Sequence, residues 1–234
     1  MTFGRFMMYF ILAFAAVYCG LTFYPGVLFS GKYEYKNITL YTGEPVTGPT
    51  DPMLERVYNI VMADDFVDPG QTFEIYAAAG YAKYAFLAPF CAKEQSCVHP
   101  ATSKVFIASA DLDKNQVYGR GSSAKPRIME SVVIRELVLA QMKKNLGPMK
   151  YISLRSWLKD GYAEHIARET VEMDAAAICG ARDAGDPLPQ YMESRLILDL
   201  VKGENPDLNY PALVVGEFNY ENLRKRVMDK YCVK

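Results

Sequence analysis

The chain has 234 residues, of which 50% are hydrophobic and 13% aromatic, a composition that argues against a mainly disordered protein and for one domain with its own core. Its formal net charge is −1, from 26 basic and 27 acidic side chains, so no general electrostatic attraction to nucleic acid is expected. With only 2 histidines, a histidine-rich metal site is excluded.

The N-terminal stretch is apolar and carries no charge between Arg5 and Lys32. Residues 6–24 have about the length that a helix needs to cross a bilayer core, and we predict an uncleaved signal anchor. A cleaved signal peptide is the alternative, although its apolar region is normally shorter. We therefore expect a transmembrane helix over residues 1–30 and a periplasmic domain over residues 31–234, in a single-pass protein of the cytoplasmic (inner) membrane.

Four cysteines follow the apolar stretch, and an even number in an exported domain is typical of disulfides. Cys91 and Cys97 lie in one loop and can close it, which would leave Cys179 and Cys232 to pair with each other. Four free thiols in a domain that faces the cytoplasm are the alternative.

The first half of the domain is expected to contain strands and short helices. β-Branched, alternating runs predict strands, and the spacing of Leu54, Val57 and Val61 predicts a helix. In chain order we predict a strand over 35–41, a helix over 52–67, a strand over 72–77, a helix over 81–90, a strand over 104–109 and a polar loop over 119–126.

The second half is predicted to be helical. One helix begins at Glu130 and ends before Gly147 and Pro148, because Gly and Pro close helices. A second helix follows Ser153 or Ser156, either of which can cap its N-terminus. Two more helices are predicted over 191–202 and 219–232. The predicted fold class is α+β, with a small mixed sheet and a helical core.

Two motifs on the central helices carry a family resemblance. The first helix contains Arg135-Glu136-Leu137-Val138-Leu139 and the second Trp157-Leu158-Lys159-Asp160-Gly161-Tyr162-Ala163-Glu164. Together they resemble the gluzincin metallopeptidases, which include thermolysin and the M1 aminopeptidases. There, one helix carries His-Glu-x-x-His and the next a Glu, often as Trp-x-x-Glu-Gly-x-Ala, that is the third zinc ligand. The chain also resembles small membrane-anchored bacterial proteins of unassigned function.

The resemblance implies a zincin-like domain that has lost its metal. Arg135 and Leu139 stand where the family has its two histidines, and Asp160 stands in place of the third-ligand Glu. Neither a guanidinium nor an aliphatic side chain can ligate zinc. Only the general-base position, Glu136, matches the motif, and without a metal-activated water it has little to act on. The resemblance also gives strand 104–109 the place of the edge strand beside the catalytic helix.

A cation must replace the zinc if carboxylates are buried at the old site. We therefore predict that Arg135 pairs with Asp160, or with Glu136 across the site. A solvent-exposed Arg135 is the alternative. Trp157 is interpreted as a packing residue between helices. His165 is five positions past Asp160, on the wrong face to share a metal with it.

The preferred function is that of a membrane-anchored pseudopeptidase that binds a peptide, a protein or an envelope component in the former substrate cleft. This reading expects no cofactor and no nucleic acid. The alternative is a divergent zinc metallopeptidase or hydrolase, with Glu136 as general base and Asp160 or Glu164 as a second carboxylate. A third hypothesis is a small α+β domain in which the Trp-x-x-Asp-Gly motif is a coincidence.

Overall fold

The computed structural model describes residues 3–45, 50–64, 67–120, 125–180 and 186–232, and these residues form an α+β fold with a mixed sheet, as predicted. The helices are α1 Phe3–Phe23, α2 Asp51–Met62, α3 Tyr81–Leu87, α4 Met129–Leu146, α5 Pro148–Ser153, α6 Ser156–Ala167, α7 Leu188–Glu204, α8 Tyr210–Val215 and α9 Tyr220–Tyr231. The strands are β1 Gly31–Tyr35, β2 Ile38–Thr42, β3 Phe73–Ala77, β4 Ser96–Val98, β5 Val105–Ile107, β6 Ser109–Asp111, β7 Gln116–Tyr118 and β8 Arg127–Ile128.

The larger sheet has five strands in the order β1-β2-β3-β5-β4. Its three inner strands are parallel, and the two outer ones, β1 and β4, run antiparallel to their neighbours. A second, antiparallel sheet has the order β6-β7-β8. In the larger sheet β4 is an edge strand, and it brings Ser96 to the side of α4.

One strand prediction was wrong. The single strand over 35–41 is a hairpin, in which Lys36 adopts a φ of 52° between β1 and β2. The strand predicted over 104–109 is present as β5, but the edge position that the resemblance implies for it is wrong, because β5 lies between β3 and β4. Its residues Val105, Phe106 and Ile107 are at most 1% exposed, which is typical of an inner strand covered on both faces.

Helix α4 crosses the centre of the domain. Every residue from Val132 to Lys143 is buried, between the larger sheet, α2 and α6. An all-round buried helix shows no single apolar face, which explains why this one carries Arg135 and Glu136 inside the protein. The bounds of α4, α7 and α9 lie within a few residues of those predicted.

Helix α6 packs closely on α7 at Gly161. A Cβ atom added to Gly161 would lie 2.5 Å from the carbonyl oxygen of Ser194, so only glycine permits this approach of the two helices. The predicted serine cap of α6 was wrong: Arg155 occupies the N-cap, and no side chain caps the helix there.

Helix α1 is largely exposed along its length, and it contacts the domain near its end. The Tyr18 hydroxyl donates to the carbonyl oxygen of Phe86 at 2.9 Å, and the two rings meet edge to face. Within the described residues no helix combines the length and apolarity needed to cross a membrane, so the predicted transmembrane helix was not found.

Two disulfides link parts of the domain. Cys91 is bonded to Cys97, and Cys179 to Cys232, which confirms the predicted pairing. The first closes the loop before β4, and the second ties the turn before α7 to the end of α9.

Candidate functional site

The guanidinium of Arg135 joins the two carboxylates of the motif. Nη1 donates to Glu136 Oε1 at 2.8 Å, and Nη2 donates to Asp160 Oδ1 at 2.5 Å. The side chain of Arg135 is 6% exposed, that of Glu136 2% and that of Asp160 16%. The predicted pairing of Arg135 with Asp160 or Glu136 is therefore confirmed, and Arg135 makes both pairs at once.

Glu136 is held on a second side by the edge strand. The Ser96 hydroxyl donates to the same oxygen, Glu136 Oε1, at 3.0 Å. One carboxylate oxygen thus accepts from both a guanidinium and a hydroxyl, and the hydrogen bond from the guanidinium is charge-assisted.

Tyr191 of α7 covers the other face of the guanidinium. The Arg135 Cζ lies 3.8 Å from the centroid of the Tyr191 ring, and the Arg127 Cζ lies 5.2 Å from the same centroid. A desolvated cation over an aromatic ring is stabilised by the ring quadrupole. Burial alone would lower the pKa of Arg135, but Tyr191 and the carboxylates of Glu136 and Asp160 raise it above its usual value, so the side chain stays cationic.

A second buried ion pair lies behind the first. Arg127 Nη2 donates to Glu169 Oε2 at 2.5 Å, and both side chains are 2% exposed. Because Arg127 also faces Tyr191, the two cations occupy one connected polar layer inside the domain. We call Arg135, Glu136, Asp160, Tyr191, Arg127 and Glu169 the arginine cluster.

Glu164, the alternative second carboxylate, has a different role. It is 0% exposed, and its Oε1 accepts from the backbone N–H of Thr170 at 2.7 Å. It thereby holds the chain that leaves α6. Burial raises its pKa, and the hydrogen bonds from Thr170 oppose that rise.

The remaining predicted positions do not join the cluster. Leu139 packs into the apolar core and is 7% exposed. His165 lies 2.9 Å from Asp199 Oδ1 through its Nδ1. Trp157 is buried against Tyr220 and Phe218, which agrees with its interpretation as a packing residue.

The cluster opens to the surface through Asp160. Its Oδ2 lies 3.5 Å from the side-chain amide of Gln190, an exposed residue at the start of α7. The loop closed by the Cys91–Cys97 bond carries Glu94, whose pKa depends on the charges of the cluster. Partial burial raises the pKa of Glu94, the charge of Glu136 raises it further, and that of Arg135 opposes the rise.

These residues do not fit a zinc ion. Arg135 binds one oxygen of each carboxylate, and it brings a positive charge that would repel a metal ion. Across the described ranges, no three His, Cys, Asp or Glu side chains converge on a point that could hold a metal ion.

Sequence reasoning missed the partners from other elements. Ser96 lies 40 residues before Glu136, and Tyr191 lies 56 residues after Arg135. Nothing in the local sequence distinguishes them from other serines and tyrosines. The signal that did exist was a cation, Arg135, at the position where the resembled motif has a metal ligand.

Compared with known proteins, the chain matches no family model, and no curated protein and no solved structure is significantly similar to it.

Proposed function

We propose that this chain is a gluzincin-like pseudopeptidase domain that binds a peptide segment beside the arginine cluster and does not cleave it. The observation that carries the proposal is the double pairing of Arg135 with Glu136 and Asp160 in a buried site. The cation neutralises the carboxylates in the way that a metal would, but it has no open coordination position for water.

The chemistry of Glu136 supports a non-catalytic site. A general base must be free to take a proton and must lie within reach of the water it activates. The Glu136 side chain is 2% exposed and already accepts from Ser96 and Arg135, so it has little access to a water molecule that it could activate. For the same reason we do not favour the hydrolase alternative.

The surroundings of Asp160 support peptide binding. Its partly exposed carboxylate and the exposed amide of Gln190 offer hydrogen-bond acceptors and a donor to a peptide main chain. Because Arg135 holds the carboxylate in place, the surface it presents is preorganised, which lowers the entropic cost of binding.

We further propose that the domain is held at a membrane, on the extracytoplasmic side. The two disulfides support an oxidising compartment. Side chains of α1 such as Phe10, Ile11 and Phe14 are 58–65% exposed, an apolar surface that a lipid phase would cover. Carbonate washing of membranes from cells that produce the full chain should leave it in the pellet, and release into the supernatant would contradict attachment through α1.

Two measurements on the full chain test the binding proposal. After dialysis against zinc, elemental analysis should find far less than one zinc per chain. Arrays of immobilised peptides should then reveal bound, uncleaved sequences. The variant Gln190→Ala should weaken this binding, whereas Asn222→Ala, which removes an exposed amide on α9, should not. Stoichiometric zinc with peptide cleavage would establish the enzyme instead, and equal binding by both variants would place the peptide elsewhere.

A further inference from the structure

An open cavity shares Gln190 with the surroundings of Asp160. Its volume is about 340 Å³, and it is lined by the start of α6, the start of α7 and the first residue of α9. The lining residues are Arg155, Ser156, Trp157, Gln190, Glu193, Ser194 and Tyr220.

One wall of the cavity is aromatic. The rings of Trp157 and Tyr220 are stacked, with centroids 6.1 Å apart and planes at 22°. Phe218 meets Trp157 edge to face from behind, at 6.3 Å. Such a supported ring pair offers a flat apolar surface whose position is fixed by packing.

The charged residues of the lining are engaged by the protein itself. Arg155 donates through Nη1 to the carbonyl oxygen of Phe218 and through Nη2 to that of Gly216, both at 2.6 Å. Glu193 Oε1 accepts from Arg224 Nε at 2.8 Å and from the Tyr220 hydroxyl at 3.1 Å. A charged ligand group would therefore lose its hydration and compete with contacts already made, whereas an uncharged one would not.

The cavity and the carboxylate of Asp160 are one helical turn apart. Trp157 and Asp160 are separated by three positions on α6, a rise of about 4.5 Å. Gln190 both lines the cavity and reaches Asp160. An extended peptide advances about 3.4 Å per residue, so neighbouring residues of one peptide can reach both places.

We propose that this cavity is the side-chain pocket of the peptide site, and that it accepts an uncharged aromatic or long aliphatic side chain. The inference rests on the proposed function and supplies its specificity: the main chain meets Asp160 and Gln190, and one apolar side chain enters beside Trp157.

The single tryptophan makes the test direct, since Trp157 is the only one in the chain. The full-length protein is titrated with N-acetyl-phenylalaninamide and N-acetyl-leucinamide, and the indole emission is followed. Both should give a saturable change at millimolar concentration. N-acetyl-alaninamide should bind about tenfold to a hundredfold more weakly, because it buries fewer methylene equivalents. The lysine and glutamate amides should give no saturable change.

A pair of variants locates the response. Ser156→Phe adds a large side chain at the exposed rim of the cavity and should abolish it. Ser153→Phe, at an exposed position that does not line the cavity, should keep it. If Ser156→Phe does not fold, the ranking of the five amides on the unmodified protein decides.

The possible failures are distinguishable. An unchanged indole emission with every amide, or equal affinity for charged and apolar ones, would overturn the pocket. If the emission of Trp157 does not change with any amide while binding to the peptide arrays still depends on Gln190, only the proposed pocket is wrong. If the amides bind but no peptide depends on Gln190, the cavity stands and the proposed peptide site fails.

Discussion

Replacing Arg135 by methionine should destabilise the folded domain strongly. Methionine keeps much of the length of the side chain and removes the guanidinium, so the buried carboxylates of Glu136 and Asp160 lose their shared cation. The ring of Tyr191 also loses the closer of its two cation–π contacts.

The size of the effect follows from burial. Breaking a buried ion pair by removing one partner costs about 3–5 kcal/mol, because the other charge remains uncompensated. Glu136 is 2% exposed and cannot recover hydration, whereas Asp160, at 16%, can recover part of it. A domain of this kind is stable by about 5–15 kcal/mol in all, so the loss is a large fraction.

Urea unfolding, followed by the fluorescence of Trp157, measures the change. With a slope of about 2–3 kcal/mol per molar, the midpoint should fall by roughly 1–2 M. The matched control is Arg226→Met, which breaks a surface pair with Glu204 whose partners are 43% and 46% exposed. Exposed pairs contribute about 0–1 kcal/mol, so its midpoint should hardly move.

A midpoint shift of Arg135→Met no larger than that of the control would refute the account of the arginine cluster.

Three further predictions concern other parts of the chain. Replacing Cys179 and Cys232 by serine should lower the free energy of unfolding by about 4 kcal/mol, and replacing Cys91 and Cys97 should lower it by about 2 kcal/mol. The difference arises because a sequence separation of 53 closes a longer loop than a separation of 6. Urea midpoints that rank the two variants the other way would contradict this. Burial and two nearby lysines lower the pKa of His99, whose Nδ1 accepts two backbone N–H bonds. The contribution of His99 to the free energy of unfolding is therefore complete above about pH 6.5 and is lost as the pH falls below it. The variant His99→Gln should remove this pH dependence of the stability. The double change Arg135→His with Leu139→His should restore zinc binding if the gluzincin likeness is real, and the first change alone should not; elemental analysis that finds no metal in the double variant would count against the likeness.

The long helices could be predicted from sequence because their signals are local. The C-terminal end of α4 is marked by Gly147 and Pro148, and the spacing of its apolar residues extends over several turns. The pairing of Arg135 with Asp160 could also be predicted, since a buried carboxylate on α6 needs a cation and Arg135 lies on the facing helix.

The short elements could not be predicted, because they carry too little local signal. Strands β6, β7 and β8 have two or three residues each, too few for a periodic pattern. The hairpin at Lys36 is predicted as one strand because its turn has no Gly or Pro. The side chain of Asn37 in this turn donates to the carbonyl oxygen of Gln71, a contact distant in the sequence. Tyr191 reaches the guanidinium only through the packing of α7 on α6, which no local pattern encodes.

The disulfide between Cys179 and Cys232 also constrains the order of events during synthesis. It joins the turn before α7 to the end of α9, so it can form only after these helices have been synthesised. The arginine cluster uses residues up to Tyr191, which are synthesised earlier. A copy truncated before Cys232 would therefore leave Cys179, which lies at an exposed position, as a free thiol.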